Sequence, residues 1–250
     1  MASSSFTRPQ ANETPYTSAS LMRATWESND EIQDGVDSDI ENIKGILIET
    51  YKFQDVLWRM PYTTTTADVI AYINQHASSK GSKHLFVFYY SGHGGRKGNP
   101  NSKLLLKTEY KDCKELVYDD IHRALYSLRC DVLVILDCCR ITSIVSLYPK
   151  PDETRSDGRK KMVFIGACAA SEVSMGRSDL TLTYRLCKAT KAVNGWPVSL
   201  CVILGELNYE TTQARKSVSE QVWPDVHFAD IDDSSPKEGR DMFLHRIPGA

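Results

Sequence analysis

No stretch of this chain approaches the roughly 18 consecutive apolar residues that a membrane-spanning helix needs. The opening segment MASSSFTRPQANETP likewise lacks the apolar core of a signal peptide. Neither sign of charge dominates: 30 Lys and Arg stand against 32 Asp and Glu, for a net charge of -2. That balance removes the electrostatic reason to expect nucleic acid or an anionic membrane as a partner. There is no Cys-x-x-Cys pair to begin a zinc site. The glycine-rich GHGGRKG has neither the Gly-x-Gly-x-x-Gly spacing nor the Lys-Ser/Thr ending of a phosphate cradle. The 7 cysteines are odd in number, and Cys130, Cys168, Cys187 and Cys201 lie in apolar segments, so reduced thiols in a cytoplasmic protein are expected. No cofactor is called for.

What is present is a set of short, strongly apolar runs. With 41% hydrophobic residues over 250 positions, the chain can bury a substantial core as one α/β domain. Residues 85–90 (LFVFYY) and 132–136 (VLVIL) are continuous, rich in aromatic or β-branched side chains, and too short for helices. Runs of this kind read as strands covered on both faces, which favours a parallel sheet. Each leads into reactive chemistry: the first into SGHGG with His93, the second into DCCR with Cys138 and Cys139. Side chains just past the carboxyl ends of neighbouring parallel strands converge on one crevice.

Along the chain, residues 1–18 are rich in Ser, Thr, Asn and Pro and are expected to be a disordered tail, with one domain over 19–250. Residues 20–26 form a short strand candidate interrupted by Arg23. Residues 37–51 predict a helix capped at Asp37 and Ser38, with Glu41 near the capping-box position. A strand over 53–58 ends before Pro61, and 66–77 predicts a helix with Val69, Ile70 and Ile73 inward. After the third strand, GHGGRKGNPNS is expected as loop, 104–107 as a small strand and 116–128 as a helix. A short helix through Leu147 follows the fourth strand, and 162–167 (MVFIGA) is the fifth. Residues 179–192 and 199–211 read as helices, and 225–229 and 241–246 as two late strands paired together. Strand and helix thus alternate, as in a three-layer α/β sandwich around a mostly parallel sheet.

A thiol becomes a strong nucleophile as its thiolate, which a nearby imidazole and a helix amino terminus both favour. Cys139 would open the helix after strand four and face His93, while Gly94 lets the backbone approach a substrate closely. The amides of Gly94 and Cys139 could then hold an oxyanion. Cys138 alternates to the opposite side and reads as a buried small hydrophobe. Asp137 has two readings, a cap on the following helix or a substrate-pocket acid. His76, His84, His122, His227 and His245 read as surface or packing residues, and Trp26, Trp58, Trp196 and Trp223 as core or loop anchors.

The segments YYSGHG and VILDCCR resemble the catalytic core of the caspase and metacaspase superfamily, peptidase family C14, in which the His lies about 50 residues upstream of the Cys. Caspases carry Gln-Ala-Cys-Arg-Gly and metacaspases Asp-Ser-Cys. Asp137-Cys138-Cys139-Arg140 lies between these patterns and puts the nucleophile third, at Cys139. ATWESNDE, TYKF, WRMP and IGACAASEVSMG extend the likeness to caspase-like domains common in fungal proteins. After Cys139-Arg140 the chain has Ile141 and Thr142, where caspases have Gly and metacaspases Cys-His-Ser-Gly.

The resemblance implies a cysteine endopeptidase acting on a protein or peptide substrate, with His93 and Cys139 as its dyad. Since metacaspases accept Arg or Lys with an Asp at the position of Asp137, cleavage after basic residues is implied. Asp39, in VDSDIENI, resembles the Asp of the metacaspase Asn-Asp-Ala segment and would be a second pocket acid. Residues 149–161 (PKPDETRSDGRKK) suggest a mobile loop open to self-cleavage at Arg155, Arg159, Lys160 or Lys161. A different class shares the same pattern: a catalytically silent interaction module in stress or cell-death signalling. A nucleotide-binding flavodoxin-like protein would need a glycine-rich turn after strand one, where ESNDE stands.

Overall fold

A computed structural model describes residues 16–27, 33–96, 103–108, 114–138, 161–168, 181–191, 197–217, 225–230 and 242–249. In chain order, β1 (Ser18–Trp26) leads to α1 (Gln33–Lys44), a π-helical turn (Gly45–Thr50) and β2 (Gln54–Met60). Next come α2 (Thr66–Ala77), β3 (His84–Ser91), β4 (His93–Arg96), β5 (Leu104–Lys107), β6 (Leu116–Val117) and α3 (Tyr118–Ser127). The remainder is β7 (Asp131–Asp137), β8 (Met162–Cys168), α4 (Leu182–Lys191), β9 (Val198–Ser199), α5 (Leu200–Ser217), β10 (Asp225–Asp230) and β11 (Phe243–Leu244).

The main sheet has the order β10-β8-β7-β3-β1-β2, with β10 antiparallel to β8 and every other pair parallel. Helices cover both faces, so the expected sandwich with a mostly parallel sheet is the fold found. The period of two along each strand divides the core. Leu85, Val87 and Tyr89 of β3 join Leu133 and Ile135 of β7 against α1, α4 and α5. Phe86, Phe88 and Tyr90 join Val132, Val134 and Leu136 against α2 and α3. All eight residues of β3 are buried, which explains the unbroken apolar run.

Arg23, the interruption in β1, is only 2% exposed. Its guanidinium forks onto Asp55, Nε to Oδ1 at 2.9 Å and Nη2 to Oδ2 at 2.6 Å, and Nη1 donates to the Ile40 carbonyl at 3.1 Å. A buried cation is tolerated when it is paired in this way. Asp55 is the next strand's contribution, so β1 alone could not reveal the partner.

Several local expectations are corrected. Tyr16 to Ser18, counted with the tail by composition, belong to the folded body. Tyr16 is 3% exposed, stacks on His245 and donates its hydroxyl to Asp131 Oδ2 at 2.8 Å. Residues 1–15 lie outside the described residues. Helix α1 begins at Gln33, so Asp37 is no cap: it pairs with Arg59 at 2.8 Å, while Glu41 pairs with Lys44 at 2.9 Å. The capping box belongs instead to α2. Thr65 Oγ1 accepts from the Asp68 amide at 3.2 Å, and Asp68 Oδ2 accepts from the Thr65 amide at 2.8 Å. The first helix leaves through the π turn into Tyr51 and Lys52, where Lys52 takes φ +64° between the buried Tyr51 and Phe53.

The late strands do not pair with each other. β10 covers the open edge of β8, and β11 pairs with β9. Strand-forming character marks a segment without saying which edge it meets. Cys201 is exposed, against the expectation for its apolar segment, whereas Cys130, Cys138 and Cys187 are buried. Among the described residues, no helix is long and apolar enough to cross a membrane.

Candidate active site

The site is built where β3 and β7 end. Their register pairs Ser91 with Asp137, and the Gly92 amide donates to the Asp137 carbonyl at 3.3 Å. Gly92 has φ +151°, and a Cβ there would lie 2.8 Å from Tyr90 Oη. Only glycine fits this close approach. Immediately beyond it, His93 begins β4, which pairs antiparallel with β5, His93 opposite Lys107 and Gly94 opposite Leu106. Residues 93–96, expected as loop, are therefore strand. The apolar Leu104, Leu105 and Leu106 give the hairpin something to bury, and a glycine-rich sequence hides that pairing. Tyr90 Oη lies 3.0 Å from the His93 carbonyl and 3.2 Å from that of Lys107, sharing its proton across the hairpin. His93 is partly exposed, with its Nε2 buried.

Strand parity sends Asp137 and Cys138 to opposite layers. Asp137 faces α1 and α4, while Cys138, 6% exposed, packs with the core against α2 and α3. Cys139 and the short helix expected through Leu147 lie outside the described residues. So do Trp196 and Trp223, and residues 149–160 of the segment expected to self-process. Lys161 is described, and its backbone is pinned on both sides. Its amide donates to Asp131 Oδ1 at 2.8 Å and its carbonyl accepts from the Val132 amide at 2.8 Å. A protease must lift this stretch off the sheet to cut beside Lys161.

Asp39, from α1, and Asp137, from the end of β7, meet at the first turn of α4. Thr181 caps this helix, its Oγ1 accepting from the Tyr184 amide at 3.0 Å. The same hydroxyl donates to Asp39 Oδ1 at 2.9 Å. Thr183 donates twice to Asp137 Oδ2, from its amide at 2.8 Å and its hydroxyl at 2.7 Å. Asp137 thus serves the amino terminus of α4, which the chain reaches much later, and the helix after β7 that it was alternatively expected to cap lies outside the described residues. Burial first, and then the neighbouring Asp137, push the Asp39 carboxyl up to about 8 against the pull of Thr181. Burial also raises Asp137, while the Thr183 hydroxyl and amide, the Leu182 amide and the Arg185 guanidinium draw it back down.

The family to which this arrangement belongs is decided over most of the chain's length: the caspase-domain model of peptidase family C14 matches residues 29–222. The chain belongs to that family. As a C14 caspase domain it is a member of a family of cysteine peptidases, whose substrates are proteins or peptides. A similar solved structure is the crystal structure of protein GSU0716 from Geobacter sulfurreducens. It aligns with a TM-score of 0.54 and 16% identity over 85% of this chain and 93% of that one. At that identity the likeness concerns the fold. No curated protein matches the sequence.

Within this caspase domain, sequence reasoning missed Tyr89, Thr181, Thr183 and Arg185. Tyr89 Oη lies 2.8 Å from Thr183 Oγ1, and the 1%-exposed Arg185 donates from Nη2 to the Leu207 carbonyl at 2.7 Å. Thr181 did carry a signal, since Thr just before an apolar helical run reads as a cap. Nothing in it points to carboxylates as partners. His84, His122 and His245 are buried packing residues, as expected. The Cys187 thiol is pushed up to about 12 by burial and is therefore inert at neutral pH.

Proposed function

We propose that this caspase domain is a cysteine endopeptidase cleaving after Arg or Lys, with Cys139 as nucleophile and His93 as its acid–base partner. The observation that carries the reading is the meeting of Asp39 and Asp137 at one helix terminus beside the strand end that precedes both dyad positions. His93 stands two residues beyond Ser91 and Cys139 two beyond Asp137, and Ser91 and Asp137 are register partners on adjacent strands. That equivalence supports a thiol and an imidazole converging on one crevice.

In the reaction, the Cys139 thiolate adds to the scissile carbonyl carbon and the amides of Gly94 and Cys139 donate hydrogen bonds to the developing oxyanion. His93 delivers the thiol's proton to the leaving amine, and water then releases the acyl group and restores the thiol. Asp137, with Asp39 beside it, receives the substrate's basic side chain. A guanidinium can make two charge-assisted hydrogen bonds to a carboxylate, each worth roughly 1.5 to 3 kcal/mol, whereas an aspartate side chain would meet like charge. The flanking motifs ATWESNDE, TYKF and WRMP support a place near fungal caspase-like domains, with residues 1–15 as a tail ahead of one domain. Self-cleavage falls to Arg155, Arg159, Lys160 or Lys161, and the expected location is the cytoplasm.

A fluorogenic peptide panel tests the reading. Hydrolysis should be fastest after Arg, slower after Lys, and undetectable after Asp, and Cys139→Ala should abolish all of it. Faster turnover after Asp, or an unchanged profile in Asp137→Ala, would remove Asp137 from the substrate pocket.

A further inference from the structure

The two acids differ in what faces them. Asp137 Oδ2 takes the Thr183 amide at 2.8 Å and the Thr183 hydroxyl at 2.7 Å, and the Leu182 amide and Arg185 also favour its charge. Among the described residues, Asp39 takes one side-chain donor, the Thr181 hydroxyl at 2.9 Å. Both threonines belong to the first turn of α4, where backbone N–H groups without an intrahelical partner carry the positive end of the helix dipole. Thr183 is itself held: its side chain is fully buried and lies 2.8 Å from Tyr89 Oη. Since its one hydroxyl proton is directed at the carboxylate, Tyr89 is the donor of that pair. A chain of hydrogen bonds thus runs from Tyr89 inside the sheet through Thr183 to Asp137 at the strand end.

We propose that Thr183, backed by Tyr89, is a positioning residue that keeps the negative charge of the acid pair on Asp137 and leaves the proton on Asp39. The substrate's basic side chain then meets a carboxylate at the strand end, a consequence that rests on the reading in the preceding subsection. Two carboxyls sharing one site do not both ionise easily, and the one with more donors ionises first. Asp39, 3% exposed and with a single side-chain donor among the described residues, is the one to retain its proton, in keeping with its titration at about 8. Among the described residues, the titratable and charged groups facing the pair are Tyr89 from β3 and Arg185 and Cys187 from α4. Burial keeps the Tyr89 phenol and the Cys187 thiol neutral, so among these described groups Arg185 adds charge, and it favours ionised Asp137. A bound cation favours ionisation of Asp39 as well, so its uptake releases a proton and tightens as pH rises.

The test is a carboxyl NMR titration of the full chain carrying side-chain-labelled aspartate, with Asp39→Asn and Asp137→Asn assigning the signals. Asp137 should ionise before Asp39. Thr183→Val, which removes the hydroxyl at nearly constant volume, should raise the Asp137 midpoint by about one unit, a tenfold change in its ionisation constant. Thr183→Ser should restore it, and Tyr89→Phe should raise it by less, which keeps the test open if Thr183→Val fails to fold. Asp39 ionising first, or an Asp137 midpoint that neither Thr183→Val nor Tyr89→Phe moves, overturns the proposal. Calorimetry with benzamidine as the probe cation is the second arm. Near neutral pH, wild type should bind it with proton release, and Thr183→Val should bind it more weakly, the loss growing to about tenfold as pH falls below the Asp137 midpoint. A wild type that takes no benzamidine overturns the basic-residue pocket, while the titration independently decides which acid holds the charge.

Discussion

The Gly92 amide donates to the Asp137 carbonyl at 3.3 Å, joining the residue just before His93 to the residue two before Cys139. The two halves of the proposed dyad are thereby referenced to one backbone contact. The contact depends on a backbone conformation that a side chain would strain, with the phenol of Tyr90 packed against it.

Gly92→Ala should therefore be costly although it adds a single methyl group. Its Cβ would stand 2.8 Å from Tyr90 Oη at φ +151°, a combination expected to cost about 1 to 3 kcal/mol. Urea denaturation should show that loss, and peptide hydrolysis should fall further than the unfolded fraction accounts for. Wild-type stability and turnover in this variant would mean that the hairpin tolerates another path.

Breaking the Arg23–Asp55 fork should destabilise the sheet edge. Asp55→Ala leaves the buried guanidinium with the Ile40 carbonyl and with Glu41 at 3.7 Å, for an expected cost of about 3 kcal/mol. The double variant Arg23→Met, Asp55→Leu should recover much of it, because no charge is then left buried. Equilibrium unfolding of the two variants gives the comparison; equal losses would show that the pair itself contributes stability.

Two buried groups should tilt stability in opposite directions with pH. Asp39 titrates in the fold near about 8 instead of its ordinary 3.8, so the folded state binds the extra proton between those values. Stability attributable to it is full below about 4 and is lost as pH rises toward about 8. Asp39→Asn should remove that decline and gain on the order of 2 kcal/mol at the alkaline end. His84, flanked by Ser18 at 2.7 Å and Ser20 at 2.9 Å, is pushed down from 6.5 to about 4, chiefly by burial. Here the unfolded chain binds the extra proton, so stability falls as pH drops through that window. His84→Asn should flatten the acid side. Thermal unfolding across the range checks both; slopes unchanged by the substitutions would refute these assignments.

Thiol labelling should separate the cysteines. A peptide-directed electrophile at neutral pH should mark Cys139, leaving Cys138, which is 6% exposed, and Cys187, whose thiol titrates at about 12. His93→Ala should suppress the label by removing the imidazole that favours the thiolate. The exposed Cys201 provides the internal control, reacting with a general alkylating agent but not with the directed one. Peptide mapping that finds the directed label on Cys138 would reassign the nucleophile.

Much of the architecture was legible because burial on both faces of a parallel strand leaves an unbroken apolar run, as at Leu85 to Tyr90 and Val132 to Leu136. The helix over 66–77 was legible too, since Val69 and Ile73 fall at helical spacing, though its capping box at Thr65 was not read. What could not be read were edges and partners. The β4–β5 hairpin hid in a glycine-rich segment, β10 and β11 found separate edges, and Tyr16 gained its burial from His245 at the far end of the chain.

The linear order of residues determined that an imidazole and a thiol follow two apolar strands, and strand parity determined that Asp137 and Cys138 face opposite layers. Only the tertiary structure decided what Asp137 meets: Thr183 from a helix distant in sequence, and Asp39 from the helix after β1. The reason is physical. Periodicity and propensity act among neighbours in the chain, so they place a side chain on a face. The donors that hold a buried carboxylate come from whichever helix the packing brings across that face, and such partners leave little local trace.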